Sequence, residues 1–368
     1  MKIKIYNEFS EEILHFWKTL ENNGHSNVFQ KCNWVKNWYK TVGEPIHKVQ
    51  LFIVSISYEN KVEAILPLGI FKKSGVKKLQ WLGGIHSDYM GPIIGSSSDI
   101  FLTNFEAIWN EILSSLPGFD LLYLDKQIPN IGNHVNPFFH MKDSKKITNV
   151  HQAHFRGSWE HYKDGISKKV LADTARQRKR LSKLGNLNFV VLSNEEENNL
   201  FLEKLFLFKR MRYQEMGVED VLNKKEHRDF YLNMPSQISQ SARVHCSALK
   251  LNEEIIAMHW GAVDEKTFYY LMPAYCGEKW SKYSPGKILL EDLMLSCHHS
   301  DLKVFDFTSG DESYKKIWAK DSFPMHLTLR SYSLKGSAYI KFLNLKKWLG
   351  QFNLLKKVLK KLFYKFEL

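Results

Sequence analysis

KYSPGKILLEDLMLSCHHSDLKVFDFTSGDESYKKIWA, from Lys282 to Ala319, reads as a helix start, an amphipathic helix, a strand and a polar turn into a second helix. Ser284 suits an N-cap, Pro285 the first helical position, and Gly286 lets another group approach the backbone closely. The free N–H groups that follow, with Lys287 beside them, present positive potential to a phosphate. Ile288, Leu289, Leu293 and Leu295 give the helix its apolar side. Val304, Phe305 and Phe307 form a short strand that ends at Asp306-Phe307-Thr308-Ser309-Gly310. Ligand sites of α/β folds gather at such strand ends.

Outward from this stretch, strands and helices alternate. The first half reads as a strand at 2–6, helices near 10–22 and 31–42, and strands at 49–57 and 61–70 around a Tyr58-Glu59-Asn60-Lys61 turn. A strand near 77–82, the Gly83-Gly84 pair, a His86-Ser87-Asp88-Tyr89 loop, a helix near 99–115 and a strand at 119–125 complete it. The second half repeats the order. A basic helix at 166–184 leads to a strand at 187–192 and helices near 195–213 and 224–234. Strands at 243–251, 254–263 and 267–274 follow, the first two joined by an Asn252-Glu253 hairpin turn. Then come the Ser284 helix, the 303–307 strand, a helix at 311–319 and a strand at 325–333.

Tyr-Ser-Pro-Gly-x-x-Leu-Leu from Tyr283, followed by Phe-Asp-Phe-x-x-Gly-Asp-Glu-x-Tyr-Lys-x-x-Trp from Phe305, resembles the CelD-type acetyltransferases. These are a branch of the GNAT superfamily related to the FemAB transferases. Gln30 to Trp38 (QKCNWVKNW), Ala64 to Leu68 (AILPL) and Trp81 to Met90 (WLGGIHSDYM) are similar to that family's N-terminal signatures. The resemblance runs to about residue 335. It implies an α/β fold, an α+β mixed sheet in two tandem GNAT-like domains arranged as in the FemAB proteins. The expected divisions are an N-terminal domain at 1–155, an acyl-donor-binding domain at 156–335 and a basic amphipathic helical tail at 336–368.

The resemblance also assigns roles. GNAT enzymes hold the CoA pyrophosphate on backbone N–H groups, usually within Gln/Arg-x-x-Gly-x-Gly/Ala. This chain offers Tyr283-Ser284-Pro285-Gly286-Lys287-Ile288, where only the central glycine agrees and Pro285 lacks an N–H. Ser284, Gly286, Lys287 and Ile288 are therefore the expected contacts to acetyl-CoA or another acyl-CoA, and an ordinary capped helix is the competing reading. Acyl transfer needs a base, donors for the carbonyl oxygen and an acid for the leaving thiolate. Tyr314 is the expected thiolate acid, with Asp306 and His259 as the other catalytic candidates. Asp88, Tyr89, Asp311, Lys315 and Trp318 are the expected substrate contacts. Duller readings stand beside these: Asp311 as an N-cap, Tyr314 packed on Trp318 at i+4, His259 as a core histidine, and Ser87-Asp88 as a turn.

Composition narrows the classes. Hydrophobic residues at 44% and charged residues at 25% describe a globular protein rather than a disordered one. The net charge of +13 is concentrated: residues 341–368 carry eight Lys against one Glu, and residues 168–183 carry seven Lys/Arg against one Asp. Together they account for all of it. Lys169, Arg176, Arg180 and Lys183 share a side of the 166–184 helix, either as a solvated face or as a seat for an anionic acceptor or tRNA phosphates. Without interleaved aromatics, DNA reading is not expected.

Cysteines 32, 246, 276 and 297 form no Cys-x-x-Cys pair, and Cys297-His298-His299 cannot converge on one ion, so no metal is expected. Met1 to Ile5 reads as a strand rather than a signal peptide, and no apolar run of about 18 residues exists to span a membrane. In the tail, Leu345, Trp348, Leu349, Phe352, Leu355, Leu359, Leu362, Phe363 and Phe366 recur at helical spacing among lysines, with a kink expected at Gly350. Such a helix docks on its own core or on an anionic membrane surface.

The expected activity is acyltransfer from acyl-CoA to an amine or hydroxyl on a small-molecule, lipid-linked or sugar-linked acceptor of envelope or exopolysaccharide type. The expected setting is cytoplasmic, peripheral on the inner face of the membrane. The rivals are a FemAB-like aminoacyltransferase drawing on aminoacyl-tRNA and a non-catalytic membrane-associated module.

Overall fold

The computed structural model describes residues 1–192 and 195–349. Fourteen strands form one mixed sheet that runs the length of the molecule. Its main path is Lys2–Tyr6, Gln50–Tyr58, Lys61–Lys73, Val76–Trp81, Leu121–Gln127, Asp321–Ser331, Ser144–His154, Val304–Ser309, Thr267–Tyr275, Glu254–Asp264, Ala242–Leu251 and Leu187–Leu192. The hairpins behave as their turn residues dictate. Glu59 and Asn60 both take positive φ between two paired strands, and Asn252 does the same between Ala242–Leu251 and Glu254–Asp264. Two joints in this path are parallel: Val76–Trp81 with Leu121–Gln127, and Thr267–Tyr275 with Val304–Ser309. Each sequence half thus contributes the same antiparallel meander closed by one parallel strand, which is a GNAT-like fold.

The centre of the sheet is an exchange. Ser144–His154 follows the first half in sequence yet pairs with Val304–Ser309 of the second. Asp321–Ser331 ends the second half yet pairs with Leu121–Gln127 of the first. The two exchanged strands pair with each other antiparallel from Ser144↔Thr328 to Gln152↔Asp321. The Ser144–His154 strand has no counterpart among the expected elements.

The core follows from which sheet face each helix covers. One cluster lies between the first half's strands and the helices Asp99–Thr103 and Phe105–Ser115. A second lies under Pro285–His299. The third crosses both halves, joining Trp17, Trp34 and Trp38 to Phe206, Phe230 and Trp260.

That shared cluster explains the QKCNWVKNW signature, whose residues Cys32–Trp38 form a short helix lying against the second half. Asn33 donates to the Ile238 carbonyl (2.9 Å) and Asn37 to the Phe230 carbonyl (2.7 Å). Trp34 packs edge-on to Phe230, with ring centroids 5.2 Å apart. Lys31, at the helix start, forms an ion pair with Asp264 (3.3 Å), the two side chains being 2% and 5% exposed. The expected helix at 31–42 is α-helical only over Cys32–Trp38, because the chain then widens into a π-turn at Tyr39–Gly43.

Among the described residues no helix is long and apolar enough to cross a membrane, and no group of three or more His, Cys, Asp or Glu could hold a metal ion. The four cysteines are free. The tail begins as the helix Leu334–Leu349. The remainder, 350–368, with the expected Gly350 kink, lies outside the described residues.

Breaking a buried ion pair from one side strands the other charge, at a cost of about 3 kcal/mol. Lys31→Met should therefore lower stability to denaturant by about that much, and Lys31→Met with Asp264→Leu should recover most of the loss. Equal losses in the single and double variants would refute the pairing as the cause.

Candidate active site

The two parallel strands of the second half share only three register pairs, Thr267↔Val304, Phe268↔Phe305 and Tyr269↔Asp306, and then part. The separation has a local cause. Asp306 turns its carboxylate onto the N–H of Thr308 (2.7 Å), and Thr308 sits at φ 57°, outside the extended region. That amide no longer faces a ladder partner, so pairing stops and the two strands part. On the strand's other side, the register with Ser144–His154 shifts between Val150 and Gln152, leaving His151 in a bulge.

Asp306 is 1% exposed and fully engaged. Besides the Thr308 amide it accepts from the Tyr89 hydroxyl (2.7 Å) and from Gln152 Nε2 (2.8 Å). Burial raises its carboxyl from 3.8 to about 6, against the lowering effect of these donors. Tyr89, 2% exposed, is pushed well up by burial and by the Asp306 charge. The loop carrying Tyr89 is held by Lys126, whose ammonium donates to the carbonyls of Gly84 (3.1 Å) and Ser87 (2.7 Å). Every residue of His86-Ser87-Asp88-Tyr89 faces the joint. His86 stacks on His227, Ser87 accepts from Trp34, Asp88 meets Ser309 and Tyr89 meets Asp306.

Strand alternation divides the expected catalytic residues. Phe305 and Phe307 point into the core beneath Pro285–His299, and Asp306 between them points to the opposite face. Tyr314 shares the Phe305/Phe307 face, with its ring edge-on to Phe307 at 6.1 Å. It is half-buried, and burial pushes its phenol up. His259 is on that face too, stacked on Tyr270 at 4.6 Å, and its Nε2 accepts from the Leu271 amide (3.2 Å). Burial holds its imidazole well below the ordinary range. Asp306 and Tyr89 are thus brought together, while Tyr314 and His259 stand across the sheet from them.

The turn after the strand is tied to the exchanged strand. Asp311 accepts from Asn149 (3.0 and 3.2 Å), Thr148 (3.3 Å) and His151 Nε2 (3.1 Å), and pairs with Lys316 (3.6 Å). These donors hold its carboxyl below the usual carboxylate range. The helix Ser313–Trp318 has Glu312 at its N-cap position, so Asp311 is not the cap. Lys315, 4% exposed, donates to the Ser309 carbonyl and pairs with Glu312 (3.0 Å). Trp318 is buried in the core cluster beneath Pro285–His299. Asp88 differs from all of these: it is half-buried, and among the described residues its one hydrogen-bond partner is Ser309 Oγ at 3.5 Å.

At the helix start, Ser284 takes the left-handed conformation (φ 51°, ψ 50°) and makes no side-chain cap. Its backbone, not its hydroxyl, sets the helix start. The Lys287 N–H returns to the Ser284 carbonyl (3.0 Å), and the Lys287 ammonium pairs with Asp173 (3.1 Å). A Cβ on Gly286 would stand 3.4 Å from the Tyr275 ring, so the bare backbone keeps this corner open. Ile288 is buried. The basic helix Lys168–Ser182 packs alongside through Arg178, bound to Glu291 and Asp292. It also brings Arg180 over the Tyr283 ring (4.7 Å). Lys169, Arg176, Arg180 and Lys183 are exposed on this flank.

Sequence reading missed Gln152, His151, Asn149 and Thr148, all on the exchanged strand. Only Val150 and Ala153 are apolar within Thr148–Ala153, so no alternation marked it.

Residues 168–316 match the acetyltransferase (GNAT) domain family. The match spans the basic helix, the helix start, the parted strands and the Tyr314 turn, so this part of the chain is similar to GNAT acetyltransferase domains. No curated protein matches the chain. Among solved structures, FemX aligns over 92% of this chain and 99% of its own at 11% identity, with a TM-score of 0.59. The C-terminal domain of a putative lysylphosphatidylglycerol synthetase from Agrobacterium fabrum aligns over 90% and 94% at 11% identity, TM-score 0.53. L-PGS from Bacillus licheniformis aligns over 95% and 99% at 14% identity, TM-score 0.50. At these identities the likeness is one of fold.

Because Asp306 binds its proton more tightly folded (about 6) than unfolded (3.8), the folded state holds more protons between those values. Stability should therefore fall as pH rises through that window, by on the order of 3 kcal/mol. Asp306→Asn keeps an acceptor for Tyr89 and Thr308, and Gln152 can turn its amide to suit. Its denaturation free energy should gain on the wild type by that amount between pH 4 and pH 7. Parallel pH curves would show that Asp306 is not the group responsible.

Proposed function

We propose that the chain moves an acetyl or other acyl group from acyl-CoA to an amine or hydroxyl, on a sugar-linked or lipid-linked acceptor of the cell envelope or an exopolysaccharide. The observation that carries the reading is the acetyltransferase family match over 168–316, which coincides with the parted strands and the exposed helix start. In this reading the Gly286 N–H and the Lys287 ammonium, at the corner formed with Ser284 and Ile288, receive the diphosphate of CoA, since the Ser284 and Lys287 amides are spent within the turn and the bare glycine admits an anion. Lys287 would exchange Asp173 for the phosphate, a small change for a half-exposed surface pair.

Tyr314 serves as the acid that protonates the departing thiolate. Its phenol carries its proton at neutral pH, as a donor to the thiolate must, and burial, which raises it further, makes the transfer depend on the thiolate being held against it. Asp306 and Tyr89 act together to hold the strands parted, Asp311 and Lys315 fix the turn that carries Tyr314, and Trp318 anchors that turn in the core. His259 is a structural histidine here, because its Nε2 is spent on the Leu271 amide. The resulting divisions are a first domain at 1–155, a donor-binding domain at 156–335 and a basic tail from 336.

A second reading is aminoacyl transfer from aminoacyl-tRNA. It is favoured by the exposed Lys169, Arg176, Arg180 and Lys183 flanking the helix start, a surface suited to phosphates. A lipid acceptor accords with the name of lysylphosphatidylglycerol synthetase, whose domain shares this fold. The helix Leu334–Leu349 exposes Leu345 and Trp348 beside lysines, which suits contact with an anionic membrane surface.

Calorimetric titration of acetyl-CoA into the protein should give binding in about the micromolar range, and Gly286→Trp, which fills the open corner, should weaken it more than tenfold. Absence of binding by acetyl-CoA, longer acyl-CoA and free CoA would overturn the CoA reading and leave the aminoacyl-tRNA one. Binding unaffected by Gly286→Trp would overturn the assignment of the helix start.

A further inference from the structure

Among the described residues, the Asp88 carboxylate is the acid at the end of the parted strand whose oxygens are not spent. Asp306 accepts three hydrogen bonds of 2.7–2.8 Å. Asp311 is saturated by Asn149, Thr148 and His151 and paired with Lys316. Glu312 is paired with Lys315. Asp88 has only Ser309 Oγ at 3.5 Å, beyond the range of a good O–H···O bond, and among the described residues no cation pairs with it. Asp88 is half-buried, so the oxygens that no protein group holds stay open to solvent or to an incoming N–H or O–H.

Its position is also fixed from outside its own element. The Lys126 ammonium pins the carbonyls of Gly84 and Ser87, and Tyr89 is locked onto Asp306. Asp88 lies between these two anchors, against Ser309 at the end of the parted strand. The charged and titratable groups that sense it are Asp306, Tyr89 and Tyr231. Tyr231 lines a cavity of about 280 Å³ with Trp260, Leu202 and Met234.

We propose that Asp88, supplied by the first half of the chain, is the general base of the acyltransferase site in the second half. This rests on the reading of function above. The acceptor enters from the Asp306 face of the sheet, opposite Tyr314. Asp88 takes the proton from the attacking N–H or O–H as that atom bonds to the thioester carbonyl carbon. The C–S bond then breaks, and the thiolate takes the Tyr314 hydroxyl proton. Proton transfer through solvent from Asp88 to Tyr314 restores both groups, so the products are the acylated acceptor and free CoA thiol. The matched domain at 168–316 is on this account catalytically incomplete without residues 84–89.

Two nucleophiles of different need test it. Water requires a base to attack acetyl-CoA, whereas hydroxylamine is unprotonated and strongly nucleophilic at neutral pH. With Asp88→Asn in the full chain, thiol release to water should fall about a hundredfold or more, the usual worth of a general base. Release to hydroxylamine and calorimetric affinity for acetyl-CoA should stay within a few-fold of wild type. Asp88→Glu should retain part of the water reaction. Unchanged water reaction in Asp88→Asn, or equal loss with both nucleophiles, overturns the inference while leaving the acyltransferase reading intact. A wild type that binds no acetyl-CoA and releases no thiol to hydroxylamine overturns that reading, and this inference with it.

Discussion

The buried carboxylate of Asp306 is the constraint on which the rest of the molecule turns. A carboxylate removed from water is costly unless donors replace the lost hydration. Its three donors come from three places: the strand's own Thr308 amide, Gln152 on the exchanged strand, and Tyr89 from the first half. Meeting that need simultaneously ends the parallel ladder, seats the exchanged strand and draws the His86–Tyr89 loop across the joint. The parting of the two strands is thus a by-product of satisfying one buried group.

The exchange of Ser144–His154 and Asp321–Ser331 makes the halves inseparable in a way that ordinary domain contacts do not. Each half's sheet is completed by a strand on the far side of the sequence boundary, and the two exchanged strands are each other's neighbours. The Lys31–Asp264 pair and the Asn33 and Asn37 bonds to second-half carbonyls then add specificity, since each leaves a buried polar group unpaired if the halves shift. Signature residues at Gln30–Trp38 and Trp81–Met90 therefore mark an interface within the chain.

Much of this was legible in the sequence where a local rule governs the outcome. The hairpins at Glu59-Asn60 and Asn252, the Pro285 helix and the Val304–Ser309 strand follow from turn chemistry and hydrophobic period. What stayed hidden depends on partners distant in sequence. Ser144–His154 carries Thr148, Asn149, His151 and Gln152 where an alternating apolar pattern would be expected, because its polar groups are satisfied by Asp306 and Asp311 rather than by water. Ser284 begins the helix through a left-handed backbone, which residue identity alone does not announce for a serine. Of the candidates at the site, Asp306 and Tyr89 meet, whereas His259 and Tyr314 lie on the other face, a division that follows from strand period once the register is known.

That division has a chemical consequence. On the proposed reading, a thioester held between the parted strands would be reachable from both faces of the sheet, so the group that releases the sulfur and the group that receives the acceptor's proton need not be neighbours. Separation keeps a proton donor and a proton acceptor from neutralising each other through a direct hydrogen bond. Tyr314, packed against Phe307, and Asp88, held at Ser309 by anchors on either side of it, satisfy that requirement with the sheet as the partition. An acceptor would then have to enter along the joint between the halves. On the proposed reading its recognition would fall to the first half's loop and the Tyr231 and Trp260 walls, and that of the donor to the helix start at Gly286.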